Sequence, residues 1–110
     1  MNIQIWGRKK SFDTKKAERW FKERRIKVQF IDLDRYGISR GELQSVRNSV
    51  GLEALVREDH PDAALIRYLA EEGDKCERLL EDPTLIRTPV VRNGKKATVG
   101  FCPEEWKSWE

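Results

Sequence analysis

Cysteine is scarce: the 110 residues hold two, Cys76 and Cys102. Two thiols so far apart build neither a disulfide framework nor a CxxC metal knuckle, and the expected compartment is the reducing cytoplasm. Histidine is scarcer still, and the single His60 excludes a His-rich metal site. No apolar run approaches the roughly 18 residues that a membrane span needs, so no membrane role is expected. The opening stretch MNIQIWGRKK puts its charges after its apolar residues, the reverse of a secretory signal. A large charge surplus is missing too: Lys and Arg number 22 against 19 Asp and Glu, for a net charge of +3. The two signs are interspersed along the chain, so no direct nucleic-acid binding is expected.

What is present points to one folded unit. The length suits a single domain over residues 1–110, since domains take roughly 100–200 residues, and a monomer is expected. Charged residues make up 37% and apolar ones 38%, yet ten aromatics, four of them Trp, argue for a real core.

Ile3, Ile5 and Trp6 read as a short strand, and residues 7–13 as a polar loop. Ala17, Trp20, Phe21 and Arg24 then fall at helical spacing, with Ser11, Asp13 and Thr14 as candidate N-caps. Val28–Asp32 reads as a second strand, completing a βαβ unit whose strands run parallel. Residues 39–50 form a second helix: Ser39 caps it, Glu42 follows three places on, and Gly51 ends it. Leu52, Leu55 and Val56 make an apolar turn. Residues 62–70 and 74–80 read as helical pieces separated by Gly73, and Pro83 opens another turn. In residues 88–100 two β runs flank the Asn93-Gly94 step, the strongest hairpin signal in the chain. Pro103 opens a last helix carrying Trp106 and Trp109. With the last helix so close to Glu110, no tail that would add a second interaction surface is expected. The order is the thioredoxin arrangement: an α/β fold with a four-stranded mixed sheet and a helical insertion between βαβ and ββα halves.

In such a fold the first βα loop delivers its last residues to a helix N-terminus, which carries about half a positive charge and free N–H donors. Here Arg8, Lys9, Lys10, Lys15 and Lys16 crowd that helix start, offset by Asp13. The setting suits a thiolate or an oxyanion, but the residue in the nucleophile's place is Ser11.

At this point the chain resembles the ArsC/Spx family, which comprises arsenate reductases and the related Spx and MgsR regulators. The resemblance runs over residues 1–110. It rests on Ile3-Gln4-Ile5-Trp6-Gly7, on Lys15-Lys16-Ala17-Glu18-Arg19-Trp20, on Ile31-Asp32-Leu33, on Leu85-Ile86-Arg87-Thr88-Pro89-Val90-Val91, and on Val99-Gly100-Phe101 with Glu104-Glu105-Trp106. It implies that the family's active cysteine falls on Ser11 and the second cysteine of CxxC members on Thr14. Arg57 matches one anion-holding arginine. Arg87 and Thr88 stand just before the proline, and Cys102 takes the place of a late arginine. Pro89 matches a proline whose preceding peptide is cis in this fold. Arg8, Lys9, Lys10, Arg57, Arg87 and Thr88 are therefore the expected anion-binding residues.

The activity implied is arsenate reduction or glutathione-linked thiol chemistry, with no bound cofactor. Glutathione or thioredoxin would be the reductant if position 11 were Cys. A helix end does not ionise a serine hydroxyl, which needs an adjacent base, so the chain as written is expected to be inactive by thiol chemistry. Natural loss and a Cys-to-Ser replacement both fit. The expected partners are a small oxyanion or a thiol compound, or, for an Spx-like or MgsR-like regulator, RNA polymerase. Simpler roles stand beside these: Ser11 as a helix cap, Cys76 as a plain surface or half-buried thiol, Cys102 as a structural thiol, His60 as an exposed loop residue, Trp20, Trp106 and Trp109 as core. Trp6 is placed to line the site.

Overall fold

The computed structural model describes residues 2–69 and 71–110. Strand β1 (Ile3–Gly7) leads into helix α1 (Phe12–Glu23) and then strand β2 (Val28–Asp32), which lies parallel to β1 with Ile3 opposite Val28 and Gly7 opposite Asp32. The helical middle comprises α2 (Leu33–Tyr36), α3 (Arg40–Val50), α4 (Leu52–Leu55), α5 (Ala63–Tyr68), α6 (Glu72–Glu81) and a 3-10 turn at Pro83–Leu85. Strands β3 (Val90–Asn93) and β4 (Lys96–Val99) form the hairpin, and α7 (Pro103–Lys107) closes the order. β3 pairs antiparallel with β1, giving the mixed sheet β2-β1-β3-β4. This is the expected thioredoxin-like α/β architecture.

Alternation along the central strands divides the interior into two cores, because successive side chains leave a strand on opposite faces. Ile3, Ile5 and Val91 pack on one face with Ala17, Trp20 and Phe21 of α1 and Trp106 and Trp109. Trp6, Val90 and Ala97 pack on the other with Leu43, Val46, Leu55, Ile66, Leu79 and Ile86. In the first core Trp106 is central. Its ring lies 5.4 Å from Trp20 and 4.9 Å from Phe21, and its Nε1–H donates to Thr98 Oγ1 at 2.8 Å.

Local sequence explains most boundaries. Ser39 and Glu42 satisfy each other's backbone N–H groups in a full capping box at the start of α3. The hairpin turn sits one residue later than the Asn-Gly step suggests. Asn93 pairs with Lys96 inside the ladder, and Gly94-Lys95 form the turn. Gly94 has φ of 61° and Lys95 is not among the positive-φ residues, the type II′ pattern, which takes glycine in the first central position. Gly73 does not separate two helices: it lies inside α6. The helix expected over 62–70 is shorter, at Ala63–Tyr68, and Ala70 lies outside the described residues. The one-turn helix α2 is an addition to the sequence reading.

Replacing Thr98 by Val should leave the Trp106 indole N–H buried without a partner, at a cost of about 1–3 kcal/mol. Urea unfolding measures it. A loss within about 0.5 kcal/mol, the range of ordinary surface substitutions, would mean that this bond holds nothing together.

Candidate functional site

The site forms where β1 ends and α1 begins. Gly7 is buried because Thr14 of α1 presses against it: a Cβ at position 7 would stand 2.4 Å from Thr14 Cγ2 and 3.0 Å from Phe30 Cε2. The turn is closed by the Ser11 N–H donating to the Arg8 carbonyl at 3.0 Å. Ser11, with extended backbone, caps α1: its Oγ accepts from the Thr14 N–H at 3.2 Å. Among the three candidate caps, Ser11 is the one used. Thr14 is fully buried, and its hydroxyl accepts a long 3.4 Å bond from the Arg8 N–H.

A second wall comes from the segment before β3. Val56 and Ile86 make an isolated antiparallel bridge, reinforced by Arg57 N–H to Leu85 O at 2.7 Å and Arg87 N–H to Leu55 O at 2.8 Å. This bridge sets Arg57 and Arg87 at the same depression as Ser11. The Thr88–Pro89 peptide that follows is cis. The depression measures about 290 Å³ and is lined by Arg8, Lys10, Ser11, Arg57, Asp59, Arg87 and Thr88.

The cations in it differ in what they already hold. Arg8 is largely buried, with 11% of its side chain exposed. Its Nε donates to both Asp34 oxygens at 2.8 and 3.0 Å, and its two terminal nitrogens donate to the carbonyls of Ile86 and Pro83, each at 2.5 Å. A guanidinium engaged on all three nitrogens is a structural clamp, so Arg8 lines the depression without being free to receive an anion there. Arg57 is paired with Asp59, Nε to Oδ1 at 2.7 Å, and this bond holds the Asp59 carboxyl below its usual range. Lys10 and Arg87 have no carboxylate within ion-pair distance among the described residues. Lys9 is exposed and does not line the depression. The depression thus offers two uncommitted cations, one arginine already neutralised, and a capped helix end.

Two other residues stand elsewhere than the sequence suggests. Trp6 is 1% exposed in the core and lines no part of the depression. His60 is not an exposed loop residue. Its Nδ1 accepts from the Asp62 N–H at 3.0 Å, so the ring proton is on Nε2, which donates to Thr84 Oγ1 at 3.1 Å. The Thr84 hydroxyl passes on to Asp82 at 2.5 Å, holding that carboxyl below its usual range. Cys102 donates to the Val99 carbonyl at 3.3 Å. Burial pushes its thiol up, against the bond from Thr98 and the charge of Arg87, which pull it down. Asp59, which the sequence reading passed over, lines the depression beside Arg57, the residue that follows the Val56–Ile86 bridge. No spacing rule marks it. Among the described residues no group of three or more His, Cys, Asp or Glu is arranged to hold a metal, and no helix is long and apolar enough to cross a membrane.

A βαβ half and a ββα half joined through helices, with a helix N-terminus capped at Ser11 and a cis-proline after the bridge, define a thioredoxin-like α/β protein. The ArsC family model matches residues 8–109, and the chain belongs to the ArsC family. It is 26% identical to an uncharacterized protein of Haemophilus influenzae, with 96% of each chain covered. Among solved structures it is similar to an arsenate reductase from Vibrio cholerae, with a TM-score of 0.85 and 19% identity over 98% of this chain and 97% of that one. It is also similar to an arsenate reductase (ArsC) related protein from Brucella melitensis, with a TM-score of 0.65 and 25% identity over 99% of this chain and 94% of that one.

Two outcomes follow from this geometry. Gly7→Ala should destabilise the protein by about 1–3 kcal/mol through overpacking, and adding Thr14→Ser, which removes the clashing methyl, should recover part of the loss in urea unfolding. Full stability of Gly7→Ala would show that Thr14 is not pressed against the loop. In a Cys76→Ser background, Cys102 should react with iodoacetamide more slowly than free cysteine at about pH 8, because a raised thiol pKa leaves less thiolate. Unfolding in urea should restore the ordinary rate. A folded-state rate equal to or above that of free cysteine would contradict the burial argument.

Proposed function

We propose that this ArsC-family, arsenate reductase-like scaffold captures a small oxyanion or a thiol partner at the start of α1 and does not turn it over by thiol chemistry. The observation that carries the reading is the Ser11 hydroxyl, held as the helix cap by the Thr14 N–H at the position where the family resemblance puts the attacking sulfur. A serine there needs a general base. His60, the only histidine, has both ring nitrogens engaged by Asp62 and Thr84. Cys102 is a poor substitute, since it does not line the depression and burial pushes its thiol up, which lowers its thiolate fraction.

The binding half of the reading rests on charge. Lys10 and Arg87 line the depression without a carboxylate partner, and Arg57 can exchange Asp59 for an incoming anion of the same geometry. Thr14, at the second-cysteine position, is a packing residue. Glutathione or thioredoxin would serve as reductant only with a thiol at position 11. A second reading, an Spx-like or MgsR-like regulator contacting RNA polymerase without turnover, rests on the same serine. In that case the depression need bind no oxyanion.

The test uses Ser11→Cys in a background lacking Cys76 and Cys102. The new thiol should titrate below about 8.5, the value for free cysteine, and arsenate or sulfate should raise its apparent pKa by competing for the same donors. Arg87→Ala should remove that anion effect. A thiol titrating at or above the free value would leave the site without the electrostatics that this reading requires.

A further inference from the structure

We propose that the outer face of α1 and the free edge of β2 together dock an extended acidic segment of another protein, at a surface separate from the depression at Ser11.

Charge is the first argument. Residues 1–30 hold ten Lys and Arg against three Asp and Glu, whereas the remaining 80 hold twelve against sixteen. The net charge of +3 hides this division, and the interspersion of the two signs along the chain is uneven. Lys15, Arg19 and Lys22 recur at helical spacing, so they share one side of α1. All three are exposed, while Thr14, Ala17, Trp20 and Phe21 face the core. Among the described residues none of the three pairs with a carboxylate. Many carboxylates of the helical middle, in contrast, are held in ion pairs, as in Arg47–Glu72 and Arg67–Glu53.

Backbone is the second argument. The sheet has two edges, β2 and β4, and the chain treats them differently. At β4, the Ser49 hydroxyl accepts from the Ala97 N–H at 3.0 Å and donates to the Ala97 carbonyl at 3.3 Å, covering that edge. At β2, β1 is the only strand neighbour among the described residues. Among the described residues no side chain and no loop backbone bonds to the main chain of residues 28–31. An open edge is a template for another strand.

Shape joins the two. Between α1 and β2 runs an open groove of about 830 Å³, rimmed by Lys15, Arg19 and Lys22 and floored by Ile26 and Val28. Ile26 and Val28 are half-buried against the Trp106 core. An extended peptide on the β2 edge would place alternate side chains towards this aliphatic floor and carboxylates towards the cationic rim. A nucleic acid fits less well. Glu18 and Glu23 interrupt the rim, and the groove has no aromatic on which a base could stack.

The probe is a fluorescent peptide of about eight residues alternating Glu and Val, a length that covers a typical strand. It should bind saturably, weaken with salt, and slow amide exchange at residues 28–31. Lys15→Glu with Arg19→Glu, both exposed, should keep the circular dichroism of the parent and weaken binding at least about tenfold, since opposed charges become like charges. The same peptide with Lys in place of Glu should not bind. No protection at residues 28–31, equal binding by the charge-reversed variant, or tighter binding of an oligothymidine than of the peptide would each overturn the proposal. None of these readouts depends on Ser11, so their failure is separable from failure of the oxyanion reading.

Discussion

The Arg8 guanidinium is the contact through which the separate parts of the molecule reach one another. It leaves the loop after β1 and meets α2 at Asp34, the 3-10 turn at the Pro83 carbonyl, and the bridge strand at the Ile86 carbonyl. The Pro83 carbonyl already accepts the Ile86 N–H that closes the 3-10 turn, so Arg8 adds a second bond there, and its planar five-donor fork reaches several acceptors at once. A lysine could not do so from one position. Asp34 balances the charge that burial would otherwise make costly. The βαβ half and the segment entering the ββα half are thereby locked at one relative position. The wall carrying Arg57, Arg87 and Thr88 depends on that lock, because the Val56–Ile86 bridge is a single residue pair and would not hold a register alone.

Some of this was legible in the sequence because it is local. Val28–Asp32 has the strand bounds expected of it, Ser39 and Glu42 announce their own capping box, and Pro103 begins the last helix. Each of these depends on residues a few places apart. What stayed hidden depends on distant partners. Gly73 is a poor helix former, yet it sits in α6, whose amphipathic face packs Leu79 into the core; burial outweighs the roughly 1 kcal/mol that a glycine costs in a helix. Arg8 looked like one more cation in a basic loop, since its partners lie 26 to 78 residues away. His60 looked like a loop residue because Thr84 and Asp82 come from another part of the chain. The helix start at Ser11 was readable from order and spacing, but which cations around it are free was not.

That distinction matters for the chemistry at position 11. The N–H of Thr14 that Ser11 now uses is the same donor that would stabilise a thiolate there, since a helix N-terminus favours negative charge through its unpaired N–H groups. A neutral hydroxyl accepts that bond as an ordinary cap and gains nothing further from the surrounding cations. Lys10 and Arg87 thus line the depression beside a side chain that supplies no charge. On the proposed reading an external oxyanion would use them, and Asp59, already seated on Arg57, would compete with it.

Topology also explains why α1 serves two surfaces. β1 and β2 end side by side, Gly7 opposite Asp32, so the helix start stands over the ends of the two parallel strands, where open α/β sheets leave a crevice. From there α1 runs back along the sheet for 12 residues, about 18 Å at helical rise, which matches the roughly 17 Å of a five-residue strand. A cation on the shaft of α1 therefore acts at both places: it flanks the β2 edge directly, and it adds to the positive potential at the helix start within about a Debye length. Most of the carboxylates sit in the helical middle and α7, where neighbouring Lys and Arg neutralise many of them. The surplus of the first 30 residues is consequently shared by the loop before α1, the exposed cations of α1 and the turn that follows it. Any acidic partner drawn to that helix approaches the Ser11 depression and the β2 edge together, and the backbone at the edge, not the charge alone, then decides the register in which it docks.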